Sequence, residues 1–64
     1  MIPTEEIQKD IKDTQREIDQ YRREISALSK NAVGNRVAIY FREGRISQRK
    51  EFISKLEGIL EGRK

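Results

Sequence analysis

The first half of this chain carries a narrow stripe of apolar positions at the spacing of an α-helix. Steps of four and three residues alternate without a break along Ile7, Ile11, Thr14, Ile18, Tyr21, Ile25 and Leu28. Such steps return to one side of an α-helix, and the seven-residue repeat that they make is typical of coiled-coil packing. A stripe this narrow can lie against another helix but cannot line a pocket. The pattern therefore predicts a pair of packed helices.

Local signals set the first helix at about residues 4–30. Thr4 has a side-chain oxygen that can cap the first turn, and Glu5 and Glu6 place carboxylates at the positive end of the helix dipole. No proline or glycine follows before Gly34, so nothing interrupts the helix earlier. We therefore expect one continuous helix over this half of the chain.

The segment 31–35 has the composition of a turn, and a second helix is expected at about residues 36–61. Asn31 or Gly34 can adopt the left-handed conformation that ends a helix, and Asn35 is a good N-cap for the next one. Two helices of similar length joined by a short turn form an antiparallel hairpin. We therefore predict an all-α fold.

One stretch permits a different fold. Residues 37–41 are rich in β-branched and aromatic side chains, and Gly44 lies in a segment that could turn. A short strand or hairpin at 37–46 would then be followed by a shorter helix at 48–61, which gives an α-β-α arrangement. The sequence leaves this alternative open beside the helical hairpin.

The chain is too short and too polar to build a large core. Its 64 residues, 39% charged and 34% hydrophobic, allow a single helical-hairpin domain at 1–64. Domains this small usually need a disulfide, a metal or a partner for stability, and the chain has no cysteine or histidine. We therefore expect a homo-oligomer, with a dimer favoured.

The apolar residues of the second helix divide between two flanks. One flank repeats every seven residues, and its members are Ile39, Ile46, Ile53 and Leu60. The other flank carries Val37, Phe41, Phe52 and Ile59, with Leu56 between the two. The narrow stripe of the first helix can cover only one flank. Two hairpins that pack through the uncovered flank would form a four-helix bundle.

These features predict a small non-catalytic interaction protein, an adaptor, inhibitor or regulator, that works as a homo-oligomeric bundle. The residues expected at its oligomer or partner interface are Phe41, Phe52, Leu56 and Ile59. A protein partner is also expected, although the sequence does not define its identity. The orientation of the two hairpins within the bundle stays open.

A basic group on the second helix supports an alternative from another class. The formal charge of the chain is +3, and residues 30–64 carry nine basic and four acidic side chains. Arginine guanidinium groups at helical spacing can contact phosphates, and neighbouring aromatic rings can stack on bases. This alternative is a nucleic-acid-binding regulator that uses Arg42, Arg45, Arg49 and Lys50.

The same basic residues also have a structural interpretation. If the hairpin folds about residues 32–33, the acidic flank of the first helix lies along the basic stripe of the second. The expected neighbours are Glu24 with Arg42 and Arg45, Glu17 with Arg49, and Asp10 with Lys55. Cross-helix pairs of this kind set the orientation of two helices and add about 0.2–1 kcal/mol each.

Catalysis is not expected. The chain has no histidine, no cysteine and no glycine-rich phosphate loop, and we assign it no catalytic residue, cofactor or metal site. Asp10, Asp13 and Glu17 share one side of the first helix, where a solvated face is the simpler interpretation. The longest apolar run has five residues, so we expect no membrane span, and the composition of residues 1–6 leads us to expect no secretory signal. We expect a cytoplasmic protein.

Overall fold

The computed structural model describes residues 1–63 and consists of two α-helices joined by a short turn. Helix α1 spans Thr4–Leu28, a single 3-10 turn follows at Ser29–Asn31, and helix α2 spans Arg36–Glu61. The two helices pack side by side into a rod of 47 × 15 × 14 Å. The predicted antiparallel hairpin is therefore confirmed, with α1 ending about two residues earlier than expected.

The α-β-α alternative is wrong, because residues 37–46 are helical throughout and no strand forms within residues 1–63. β-Propensity spans only about 1 kcal/mol and depends on context. Burial of an isoleucine side chain is worth about 1.5–3 kcal/mol. The helix turns Ile46 and Ile53 onto the side that faces α1, and this burial outweighs the local preference for extended backbone.

A thin apolar seam between the two helices forms the core. Its buried apolar members are Ile7, Ile18, Ile46, Ile53 and Leu56. Ile18, Ile46 and Ile53 form one cluster, against which the partly buried side chains of Ile11, Tyr21 and Ile25 pack. Thr14 is the buried polar residue of the seam, and its Oγ1 donates a hydrogen bond of 2.7 Å to the backbone oxygen of Asp10. The seam thus uses the inward stripe of α1 and one flank of α2.

The start of α1 differs from the sequence expectation. Pro3, in an extended conformation with φ −59° and ψ 144°, is the N-cap residue, and no side chain caps the first turn. The Pro3 oxygen accepts the backbone N–H groups of Glu6 and Ile7 instead. Thr4 is therefore the first helical residue, and its Oγ1 accepts a hydrogen bond of 3.1 Å from Arg63 Nη1. This contact brings residues 4 and 63 together at one end of the rod.

The turn is also built differently from the expectation. No residue within 1–63 has a positive φ, so neither Asn31 nor Gly34 adopts the left-handed conformation. The chain reverses through right-handed geometry, and Asn35 precedes α2 without a side-chain cap. Its Nδ2 donates a hydrogen bond of 3.1 Å to the oxygen of Leu28. This hydrogen bond joins the residue before α2 to the last residue of α1 across the turn.

Candidate interaction surface

A row of large apolar side chains remains in solvent on one side of α2. We call it the α2 stripe, and its members with their exposed fractions are Val37 80%, Phe41 58%, Phe52 46% and Ile59 46%. Because each residue turns an α-helix by about 100°, these four side chains fall within about 60° of one another. Ile46 and Ile53, which face α1, lie roughly a third of a turn away. The second apolar flank is therefore not covered within the hairpin.

The four predicted interface residues do not share one environment. Phe41, Phe52 and Ile59 belong to the exposed α2 stripe. Leu56 is only 9% exposed and lies in the hairpin core with Ile53. Leu56 is thus already packed within the single chain, and Val37 is the fourth member of the exposed surface.

Arg45 borders the α2 stripe and lies over one of its rings. Its guanidinium carbon is 4.4 Å from the centroid of the Phe41 ring, which is the geometry of a cation–π contact. Its Nη1 lies 3.5 Å from the hydroxyl oxygen of Tyr21 on α1, a long hydrogen bond. The sequence pattern did not indicate either contact, although the i, i+4 spacing of Phe41 and Arg45 is the available signal. Phe41 stays largely exposed despite this cover.

Two of the basic residues pair with carboxylates on α1, as predicted. Arg42 Nε donates to Glu24 Oε1 at 2.8 Å, and this hydrogen bond lowers the pKa of the Glu24 carboxyl. Arg49 Nε donates to Glu17 Oε2 at 2.6 Å, and this bond raises the pKa of the Arg49 guanidinium. The guanidinium carbon of Arg49 also lies 5.2 Å from the ring centroid of Tyr21.

The rest of the predicted charge pairing does not form. No ion pair joins Asp10 and Lys55 in the described part of the chain. Arg45 turns to Phe41 and Tyr21 rather than to Glu24. The acidic side chains of α1 therefore form ion pairs with α2 in the middle of the rod, at Glu17, and nearer the turn, at Glu24. Asp10, at the end of the rod away from the turn, does not form one with the described residues of α2.

The four residues proposed for nucleic-acid binding are only partly brought together. Arg42, Arg45 and Arg49 fall within about 60° of helical rotation, on the border between the seam and the stripe. Lys50 is exposed and lies about 100° further round the helix from Arg49. Two of the three clustered arginines already hold a carboxylate. The three arginines therefore line the edge of the contact between the two helices, and the four residues together do not form an open basic face.

The described residues offer shallow depressions rather than an enclosed cavity. One of them is an open groove of about 430 Å³ at the end of the rod where α1 begins and α2 ends, lined by Thr4, Gln8, Glu57, Leu60, Glu61 and Arg63. Within residues 1–63, no three acidic, histidine or cysteine side chains gather in a way that could hold a metal ion. Over the same residues, neither helix has a stretch that is long and apolar enough to cross a bilayer.

Comparison with known proteins provides no family for this chain. Protein-family models, curated protein sequences and solved structures all give no significant match. The function proposed below therefore rests on the residues of this chain.

Proposed function

We propose that this protein is a small, cytoplasmic, non-catalytic interaction protein, an adaptor, inhibitor or regulator, that acts as a homodimeric helical bundle through the α2 stripe. The observation that carries this proposal is the exposure of Val37, Phe41, Phe52 and Ile59 on one side of a single helix. Large apolar side chains exposed together on one side of a helix are typical of protein–protein contact sites.

The energetics of the chain favour covering this surface. The hairpin buries only a thin row of apolar side chains. Each large apolar side chain that leaves water contributes about 1.5–3 kcal/mol. The parts of the four stripe side chains that are still exposed amount to about two whole side chains, so covering the α2 stripe is worth roughly 3–6 kcal/mol for each copy. Association with another molecule would remove this apolar surface from water.

The size of the surface fits a dimer. The accessible surface of the chain is 5079 Å². A standard protein–protein contact buries about 800 Å² on each partner, which is roughly a sixth of that surface. One long side of a rod 47 Å in length can supply such an area. A second rod of the same length would cover the whole α2 stripe.

The arrangement of the arginines favours this proposal over the nucleic-acid alternative. Arg42 and Arg49 are held by Glu24 and Glu17, which neutralise them. A phosphate would have to compete with these carboxylates, and Lys50 lies on a different side of the helix. Nucleic-acid affinity that depends steeply on salt would be the mark of that alternative.

The test is the mass of the full chain in solution, measured by sedimentation equilibrium over a wide range of concentration. We expect a mass of twice the 7.6 kDa of one chain, with dissociation on dilution. The substitution Phe41→Ser should produce a monomer that remains helical by circular dichroism. Tyr40→Ser is the matched control, because Tyr40 is 63% exposed but points about 100° away from Phe41.

Two results would overturn the proposal. A folded wild-type chain that stays monomeric at every concentration would show that the α2 stripe does not bind a second copy. Equal loss of dimer in Phe41→Ser and Tyr40→Ser would show that the stripe is not the surface involved.

A further inference from the structure

The two ends of the α2 stripe are equidistant from one residue between them. Val37 and Ile59, its two ends, are each eleven residues from Gln48, which is exposed on the same side of α2. If two α2 helices cross antiparallel with a two-fold axis at Gln48, Val37 of one copy lies at the level of Ile59 of the other. Both ends of the stripe then find an apolar neighbour.

The levels between the ends are complementary in size and charge in this arrangement. Gly44 comes to the level of Phe52 of the second copy, and a Cβ built on Gly44 meets nothing within 4 Å, so the space above it is open. Phe41 comes to the level of Lys55, whose stem can cover a ring and whose ammonium can lie over it. A large side chain thus meets a small one, and an aromatic ring meets a cation.

A parallel pairing loses this complementarity. Each residue would then face its own copy, so Gly44 would face Gly44 and leave a gap. Lys55 would face Lys55, and like charges at one level repel. The apolar ends alone do not distinguish the two orientations, since Val37 and Ile59 would also meet apolar partners in a parallel pairing. The middle of the stripe is what favours the antiparallel arrangement.

The charge along the rod favours the same orientation. Glu17 on α1 lies beside Arg49, next to the axis, so the half that contains the turn is residues 18–47, which carry six basic and three acidic side chains. The other half, residues 1–17 and 48–63, carries seven basic and eight acidic side chains. Antiparallel pairing sets the positive half of one rod beside the negative half of the other, whereas parallel pairing sets two positive halves together. Such complementarity fixes the orientation of an interface more than it raises its affinity.

Building on the proposed dimer, we infer that a second copy of this chain covers the α2 stripe in an antiparallel orientation, with the two-fold axis at Gln48. The interface is isologous, so each copy contributes the same residues. The turn of one hairpin lies beside the open end of the other.

The test measures distances between spin labels in the full-length dimer. The chain has no cysteine, so single cysteines can be introduced by Ser47→Cys and Arg36→Cys, both exposed and both outside the α2 stripe. With the axis at Gln48, the two labels at residue 47 are displaced along the rod by only about 3 Å, and those at residue 36 by about 36 Å. Residues 47 and 36 project at nearly the same angle from α2. The component of the label-to-label distance that is perpendicular to the rod is therefore similar for both positions.

The outcomes separate this inference from the proposed function. A much longer label distance at residue 36 than at residue 47, in samples whose mass is that of a dimer, supports the antiparallel arrangement. Similar distances at both positions in a dimer would overturn the orientation and leave the proposed function standing. A monomeric mass for both labelled variants and for the wild type would overturn both.

Discussion

Phe52 and Ile53 are adjacent in sequence and lie on different sides of α2. Phe52 is 46% exposed on the α2 stripe, whereas Ile53 is 8% exposed within the hairpin core. Replacing each by alanine in turn therefore removes an apolar side chain from two different contacts. The pair of variants separates the stability of the hairpin from the affinity of the dimer.

The expected loss for Phe52→Ala follows from its exposed area. A phenylalanine has roughly 200 Å² to bury, so an exposure of 46% leaves about 90 Å² for a partner to cover. At about 25 cal/mol per Å², this area is worth roughly 2 kcal/mol for each copy and about 4 kcal/mol for a two-fold dimer. Since 1.4 kcal/mol is a factor of ten, Phe52→Ala should weaken the dimer about 10³-fold.

Ile53→Ala should act on the hairpin instead. Truncating a buried isoleucine costs about 2–5 kcal/mol. A chain of this length has a free energy of unfolding of roughly 3–10 kcal/mol, so the loss is a large fraction of the total. Helical content should therefore fall at every protein concentration.

The assay combines thermal unfolding by circular dichroism with sedimentation equilibrium, each at several protein concentrations. The wild-type midpoint should rise with concentration, as expected when dimerisation stabilises the folded state. In Phe52→Ala this dependence should be lost while the helical signal remains. The reasoning is refuted if Phe52→Ala dimerises within tenfold of the wild type, or if it unfolds as readily as Ile53→Ala.

Two further predictions concern the hairpin itself. The hydrogen bond from Arg42 lowers the pKa of Glu24 in the folded state, so its contribution to stability is present above the ordinary carboxyl value of 4.5 and is lost as the pH falls through the lowered value. Glu24→Gln should therefore lower the melting temperature at neutral pH, with the difference from the wild type shrinking in acid; a constant difference across a pH series would argue against the pair. Gly58 lies inside α2, and a Cβ added there meets nothing within 4 Å, so Gly58→Ala should raise the free energy of unfolding by about 0.5–1 kcal/mol in urea denaturation. A decrease would show that the glycine is needed for a contact outside the hairpin.

Periodicity in the sequence was sufficient to predict most of the fold. The seven-residue repeat identifies which side of each helix is buried, and the equal lengths of the helices set their register. The ion pairs Glu24–Arg42 and Glu17–Arg49 follow from that register, because charged positions beside the seam recur every seven residues in both helices. These features depend on residues spread over many helical turns, so an error in the predicted conformation of a few residues does not change them.

Features that depend on a few atoms were predicted poorly. Both Pro3 and Thr4 suit a helix start, and the small difference in geometry that selects one of them is not visible in residue types. The side chain of Asn35 bonds to the end of α1 instead of capping α2, because the turn brings the Leu28 oxygen within its reach. Leu56 lies between the two flanks, and only the packed structure shows that it joins the core.

The contact between Thr4 and Arg63 has a practical consequence for covalent fusions of two copies. With residues 4 and 63 at one tip of a rod 47 Å long, a tandem fusion in the antiparallel orientation needs a connecting peptide that runs the full length of the rod, at least about 14 residues when stretched. A connector of only a few residues would force the two tips together and trap the opposite arrangement.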